Sequence, residues 1–261
     1  MKIATWNTNS LRVRVDHLRK WANIADPDVI CLQETKTVDA QFPSEAIHEM
    51  GYIHQAIYGQ KTYTGVAILS KTPLQDVHKG FKEGESDPQC RLIRATTRGI
   101  RILNCYVPNG NRVDSDKFRY KLSWLKRLRK ELDSDVLPTE PVLVCGDINI
   151  APSDDDTWDP FEADGHILFH PKEHRALKRV VDWGLQDAFR VLNPRSQAFS
   201  WWDYRAGGFR KNHGFRIDHI YLTPSLMERC TAVEIHRDVR GWEQPSDHVP
   251  VVVTLNQGGA K

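Results

Sequence analysis

Short apolar runs separated by polar, turn-forming stretches recur from one end of the chain to the other. The runs KIATWN (2–7), DVICLQE (28–34), TGVAILS (64–70), RLIRATT (91–97), IRILNCYV (100–107), PVLVCGD (141–147), FRIDHIYL (215–222) and HVPVVVTL (248–255) read as strands. Arg98 and Gly99 between two of them fit a two-residue hairpin turn. Helical spacing is seen elsewhere. Phe118, Leu122, Leu125, Leu128 and Leu132 recur at three and four, predicting a helix over 116–132. Leu177, Val180, Val181 and Trp183 predict a second over 173–183, and Leu11 to Ile24 gives a weaker third. The segment 151–171, rich in Pro, Gly and Asp, reads as a long loop, and such loops in compact domains are usually functional or mobile. Strand-rich stretches at both ends, helices between them and no low-complexity linker predict an α/β (α+β) fold. Two mixed sheets should pack face to face with helices outside, as one domain over 1–257 with a short tail at 258–261.

The polar residues sit at telling places in this pattern. Strand after strand ends in an acid or an amide: Asn7, Glu34, Asp147 followed by Asn149, and Asp218, while Asp247 and His248 open the last strand. One such ending is ordinary turn chemistry. Together, at one pole of a sandwich, these groups would repel one another unless a cation sat among them. Hard oxygen ligands with few thiols suit magnesium or manganese rather than zinc.

Composition narrows the function. The chain has 261 residues, 40% of them hydrophobic and 27% charged, with a net charge of +2. That balance excludes a histone-like basic protein, so any polyanion must be held by local patches. Cys31, Cys90, Cys105, Cys145 and Cys230 form no CxxC pair, and three of them lie in apolar runs, which reads as buried thiols in a reducing compartment. MKIATWNTNSL lacks the apolar core of a signal peptide and no apolar run approaches a membrane span, so a cytoplasmic protein is expected.

Two metal motifs compete and fail. HPKEH (170–174) matches the H-x-x-E-H zinc signature, but Pro171 pushes His170 out of the helix and leaves it as a cap. SDDDTWD (153–159) lacks the glycine and closing glutamate of a calcium loop and reads as a solvated acidic turn. Lys117 and Lys121, one helical turn apart, are placed to reach a phosphate backbone. SWWDYRAGGFRKNHGFR (200–216) sets Trp201 and Trp202 beside Arg205, Arg210, Lys211 and Arg216, the aromatic-cationic mixture that holds nucleic acid. Neighbours on a strand face opposite ways, so core packing explains one tryptophan and not both.

WNTNSLR, DPDVICLQETK, YTGVAILSK, CYVPNG, GDINIAP, FSWWDYR, GFRIDHI and PSDHVPV, in order from residue 6 to 251, resemble the exodeoxyribonuclease III family of abasic-site endonucleases. The resemblance implies a four-layer α/β sandwich with its active site at one pole. It implies that Glu34, helped by Asn7 and Asp247, holds Mg²⁺, with Mn²⁺ as a substitute. Asp147 resembles the group that orients and deprotonates the attacking water, and Asn149 helps hold it; a second ion near these two is also described for the family. His248, oriented by Asp218, would contact the scissile phosphate, and Tyr106 resembles a further phosphate contact or leaving-group donor. Arg91, Lys117, Lys121, Trp201, Arg205 and Phe215 would touch DNA. Ile148 in GDIN and Thr8 between Asn7 and Asn9 look like packing variations. Leu168 stands where the family commonly carries a small or polar residue, beside the pocket edged by Trp201 and Phe215, and is expected to act on selectivity.

The implied activity is Mg²⁺-dependent cutting of double-stranded DNA 5′ to abasic sites, with 3′→5′ exonuclease and 3′-phosphatase work on damaged or blocked 3′ ends, by a monomer. A phosphatase of the same superfamily and a decayed nucleic-acid-binding module are the alternatives. The basic helix and aromatic-cationic loop count against the first, and the complete polar set counts against the second.

Overall fold

The computed structural model describes residues 1–82 and 87–256; the tail expected at 258–261 lies outside the described residues. Its strands are β1 (Lys2–Asn7), β2 (Val29–Gln33), β3 (His54–Tyr58), β4 (Val66–Ser70), β5 (Gln75–Lys79), β6 (Leu92–Thr97) and β7 (Ile100–Tyr106). They continue as β8 (Val142–Asp147), β9 (Gln186–Asp187), β10 (Trp201–Trp202), β11 (Gly214–Phe215), β12 (Asp218–Leu222), β13 (Cys230–Ile235) and β14 (Val251–Leu255). One six-stranded sheet runs β13-β14-β1-β2-β4-β3 and the other β5-β6-β7-β8-β12-β9, with β10 and β11 a separate ribbon. The parallel pairs are β1 with β2 and β7 with β8, one pair inside each sheet.

Alternation along the strands builds the layers. Ile3, Val29, Cys31 and Ile68 from the first sheet meet Ile93, Ile102, Leu143 and Cys145 from the second in a shared core. Their neighbours Ala4, Ile30 and Leu32 point outward, under Leu11, Leu18 and Trp21 of α1 (Leu11–Ala25). After α2 (Ser44–Glu49), the outer face of the second sheet is covered by α3 (Asp116–Asp135) and, beyond the short α4 (Pro160–Ala163), by α5 (Pro171–Val181). Helix, sheet, sheet and helix are therefore stacked as the expected four-layer sandwich. No helix among the described residues is long and apolar enough to cross a membrane.

The hairpin at Arg98 and Gly99 is present, both residues having positive φ between β6 and β7. Three expectations need correction. The buried face of α3 is not a plain apolar stripe, because it includes Lys121 and Glu131 while Leu122 is half-buried. Glu131 pairs there with the buried Arg94. FRIDHIYL is not one strand: Arg216 and Ile217 interrupt it, because the Arg216 side chain turns inward to Asp156 and Asp187, each at 2.7 Å. The long loop expected over 151–171 contains short helical turns at Asp154–Asp156 and Pro160–Ala163, and its acidic turn is only partly solvated. Asp156 is buried, capped by Ser153, and held by Arg190 and Arg216, although Asp154 and Asp155 are solvated. His170 is the cap foreseen for it, accepting from the Lys172 amide at 3.0 Å ahead of Pro171, so HPKEH holds no zinc geometry.

Candidate active site

The two parallel strand pairs end at the same pole. In register, Asn7 lies opposite Gln33, Tyr106 opposite Asp147, and Asp147 opposite Asp218. The poles of the two sheets meet through Asn7, whose Nδ2 donates to Glu34 Oε1 and to Asp147 Oδ2, both at 2.9 Å. Deeper between the sheets, Gln33 Nε2 donates to Asn104 Oδ1 at 2.6 Å, and Asn104 Nδ2 reaches the carbonyls of Leu32 and Ala67. Buried polar links of this kind tie the two sheets together beneath the strand ends. Gly146 has φ 137, and a Cβ there would stand 1.8 Å from the Cys105 carbonyl oxygen. Only glycine lets β8 approach β7 this closely before turning Asp147 into the site.

Asp147 is 1% exposed. Its Oδ1 accepts the Asn149 amide at 3.0 Å and its Oδ2 the Asn7 amide. Burial drives its carboxyl up, the charge on His248 pulls it back, and it rests raised at about 7. Asn149, in the left-handed region at φ 54, donates Nδ2 to the Val107 carbonyl and accepts from Asn109 Nδ2, each at 3.0 Å.

His248 Nδ1 pairs with Asp218 Oδ2 at 2.8 Å, and its Nε2 faces Asp147 Oδ2 at 3.8 Å. Ser200 Oγ donates to the same Asp218 oxygen at 2.7 Å. Burial opposes a charged imidazole, but the Asp218 and Asp147 carboxylates outweigh it and push the pKa of His248 up to about 10. Ser246 Oγ takes the His248 N–H and donates to the Asn7 carbonyl, which ties the last strand to the end of β1. Asp147, Asp218 and His248 offer ligand atoms within 4.8 Å of one another. The hydrogen bond between the last two marks them as an oriented acid–imidazole pair rather than a soft-metal cage.

Tyr106 donates its hydroxyl to Glu34 Oε1 at 2.8 Å. Burial, with Glu34 and Asp147 beside it, pushes the phenol well above its usual pKa, so it stays a donor. The Arg91 guanidinium lies 4.4 Å over the Tyr106 ring and donates to its carbonyl. Glu34 Oε2 pairs with Lys36 Nζ at 2.8 Å, and the same ammonium donates to Asn9 Oδ1 at 2.6 Å. Asn9 in turn donates to Asp247 Oδ1 at 2.9 Å, and Trp201 Nε1 donates to Asp247 Oδ2 at 3.0 Å. Carboxylate and amide oxygens here already converge around a cationic group, and this all-oxygen donor set suits a hard divalent ion.

Trp202 is fully buried, whereas Trp201 is half-buried and pairs with Phe215 across the β10–β11 ribbon at a ring distance of 6.0 Å. Leu168, with φ 76, is buried in the cluster of Phe169 and Ile217, against which Trp201 and Phe215 pack. Lys117 is exposed and lines a cleft of about 510 Å³ with Arg91, Tyr106 and Asn109. Arg205 is exposed and paired with Asp203.

Two of the cations expected at DNA are elsewhere. Lys121 is 0% exposed and lies under the site, bonded to Asn109, Asn149 and Glu173, so it has no access to a phosphate backbone. Arg216 is consumed by its buried aspartates. Asn9, Lys36, Asn109 and Ser200 also belong to the site, although none was expected there. The first three stand in the motifs WNTNSLR, QETK and CYVPNG, but only the folded geometry shows what each touches.

The model of the Endonuclease/Exonuclease/phosphatase family matches residues 4–248. The chain is 39% identical to exodeoxyribonuclease III of Haemophilus influenzae, with 96% of this chain and 98% of that protein aligned. Its fold is similar to an AP endonuclease from Archaeoglobus fulgidus, with TM-score 0.94 and 37% identity, covering 98% of this chain and 100% of the other. It is equally similar to a substituted form of the 3′ phosphatase NExo from Neisseria bound to a product DNA hairpin, with TM-score 0.95, 38% identity and the same coverage.

Proposed function

The chain belongs to the Endonuclease/Exonuclease/phosphatase family, and from that premise we propose a Mg²⁺-dependent DNA-repair nuclease that cuts 5′ to abasic sites and trims or dephosphorylates 3′ ends. It is a hydrolase of the exodeoxyribonuclease III type. One observation carries the reading: Asp147 and the Nε2 edge of His248 face each other at 3.8 Å, flanked by Asn7, Glu34 and Tyr106.

Hydrolysis of a phosphodiester needs a deprotonated water, in-line geometry and positive charge on the phosphorus oxygens. Asp147, held at both oxygens, takes the proton of the attacking water, and Asn149 fixes its direction. The water oxygen bonds to phosphorus as the bond to the 3′ oxygen breaks. His248, kept charged by Asp218, donates to a phosphate oxygen and gathers the negative charge that builds there. Tyr106, a neutral donor beside Glu34, supplies a further hydrogen bond to the phosphate or to the departing oxygen. Glu34, with Asn7 and Asp247, would hold Mg²⁺ or Mn²⁺, which when bound supplies Lewis-acid polarisation of the phosphate. Arg91 and Lys117 supply phosphate contacts at the cleft and exposed Arg205 supplies another from the segment after β10, while Trp201, Phe215 and Leu168 form the pocket edge. The working form is one domain, monomeric and cytoplasmic, with duplex DNA as its partner.

The test uses end-labelled duplexes carrying an internal abasic analogue, a 3′-phosphate or a plain recessed 3′ end, each with Mg²⁺ and with EDTA. Processing with Mg²⁺ and none with EDTA is expected, and Glu34→Ala should raise the Mg²⁺ concentration required. A protein that leaves all of these duplexes intact in Mg²⁺ contradicts the reading.

A further inference from the structure

Lys121 has an arrangement that an ordinary buried ion pair does not require. An ammonium has three donors, and all three are used. One meets Glu173; the others go to the main-chain carbonyls of Asn149 at 2.6 Å and Asn109 at 3.1 Å. These carbonyls belong to the turns that follow β8 and β7, the strands that deliver Asp147 and Tyr106. The side chains of the same two residues are bonded to each other, Asn109 Nδ2 to Asn149 Oδ1, and the Asn149 N–H holds Asp147 Oδ1.

The ammonium is itself anchored. Glu173, fully buried, gives its other oxygen to the His170 amide at 3.1 Å at the start of α5. The methylene stem of Lys121 is packed as well, since a Cβ on Gly110 would stand 3.3 Å from its Cδ. Burial pulls the pKa of Lys121 down, and the carboxylates of Glu173 and Asp147 pull it back. One cation thus spans α3, α5 and both turns. It also supports Asn149 in its left-handed conformation, which asparagine adopts more readily than most residues but which still carries strain.

We propose that Lys121 is a positioning residue, which clamps the Asn109 and Asn149 carbonyls so that the Asn149 amide aims the Asp147 carboxylate at the attacking water, with Glu173 as its fixed counter-ion. This rests on the role of Asp147 given above. A charged side chain placed for DNA binding would act on affinity, and one placed for stability would act on unfolding; this one should act on turnover.

The test is the double variant Lys121→Met/Glu173→Gln. It removes both charges at similar volume, leaves no orphaned buried ion, and keeps an acceptor for the His170 amide. A merely structural ion pair predicts wild-type kcat in this double variant. The proposal predicts a near-wild-type KM for a recessed 3′-end duplex, with kcat lower by about 10- to 100-fold in the folded variant, because the two carbonyls still lack their donor. Wild-type kcat, or a change confined to KM, overturns it. If the double variant fails to fold, Lys121→Gln/Glu173→Gln, which leaves no buried ion and whose shorter side chain at position 121 cannot hold both carbonyls, replaces it. A lowered kcat at constant KM is again expected, and a wild-type kcat contradicts the proposal. Wild-type protein is assayed on the same duplex in parallel. Absence of Mg²⁺-dependent cleavage by the wild type overturns the functional reading and this proposal together, whereas an active wild type with an equally active variant overturns the proposal alone.

Discussion

Asp218 Oδ2 lies 2.8 Å from His248 Nδ1, and this contact joins β12 of the second sheet to the segment that leads into β14 of the first. Both side chains are buried, so the pair shares one charge-stabilising environment across the sandwich. The His248 pKa, raised to about 10, means that the imidazolium is present at neutral pH and lost as pH rises through that value. Asp218→Asn removes the nearest carboxylate that supports the charge. The alkaline fall of kcat/KM should therefore move to lower pH, and turnover at neutral pH should drop by about 10²-fold or more. A pH–rate profile checks both; an unmoved alkaline limb would separate Asp218 from the charge on His248.

Lys117 and Lys121 are one helical turn apart and have opposite fates. Lys117 is exposed at the rim of the Arg91–Tyr106 cleft. Lys117→Ala should weaken binding to all duplexes alike and flatten the dependence of log K on log salt by about 0.9, the contribution of one phosphate contact. Equilibrium binding over a salt series measures it. An unchanged slope would make Lys117 an ordinary solvated residue.

Leu168 is buried beside Phe169 and Ile217 in the cluster against which Trp201 and Phe215 pack, and on the proposed reading an abasic sugar turned out of the duplex fits against that cluster. A terminal 3′ nucleotide or phosphate enters with less distortion of the DNA. Leu168→Ser should raise abasic incision relative to 3′-end processing by about 10- to 200-fold, the range for small steric changes in an apolar pocket. The ratio is measured on one enzyme preparation with both substrates. No change, or a shift of opposite sign, removes Leu168 as a selectivity element.

The layers and the polar pole were legible because period-two alternation and strand-end polarity are local signals. Asn7 and Asp147 end β1 and β8, Glu34 follows β2, Asp218 begins β12 and His248 precedes β14, so each could be read from a polar group set beside an apolar strand. The fate of α3 was not legible. Its apolar stripe says which face turns inward, but the partners that let Lys121 and Glu131 share that face, Glu173 and Arg94, are remote in sequence. Arg216 was misread for the same reason: its aspartates come from the 151–171 segment and from β9. A buried charge is invisible to periodicity until its counter-charge is located. Asn109 and Lys36 illustrate a second limit, since their roles depend on turns that end strands in different sheets.

The base role of Asp147 is tested most directly by single-turnover cleavage of a 3′-end-labelled duplex by Asp147→Asn in Mg²⁺, with duplex affinity measured alongside. Asparagine keeps the size of the side chain and an oxygen for the Asn7 amide, but it cannot take a proton from water. Wild-type activity should fall as pH drops through about 7, because burial raises the carboxyl to that value and only the ionised form acts as base. The variant should bind DNA as the wild type does, cleave it slower by about 10²–10⁴-fold above that pH, and lose the acid limb of the wild type. Near-wild-type cleavage by Asp147→Asn would contradict the account.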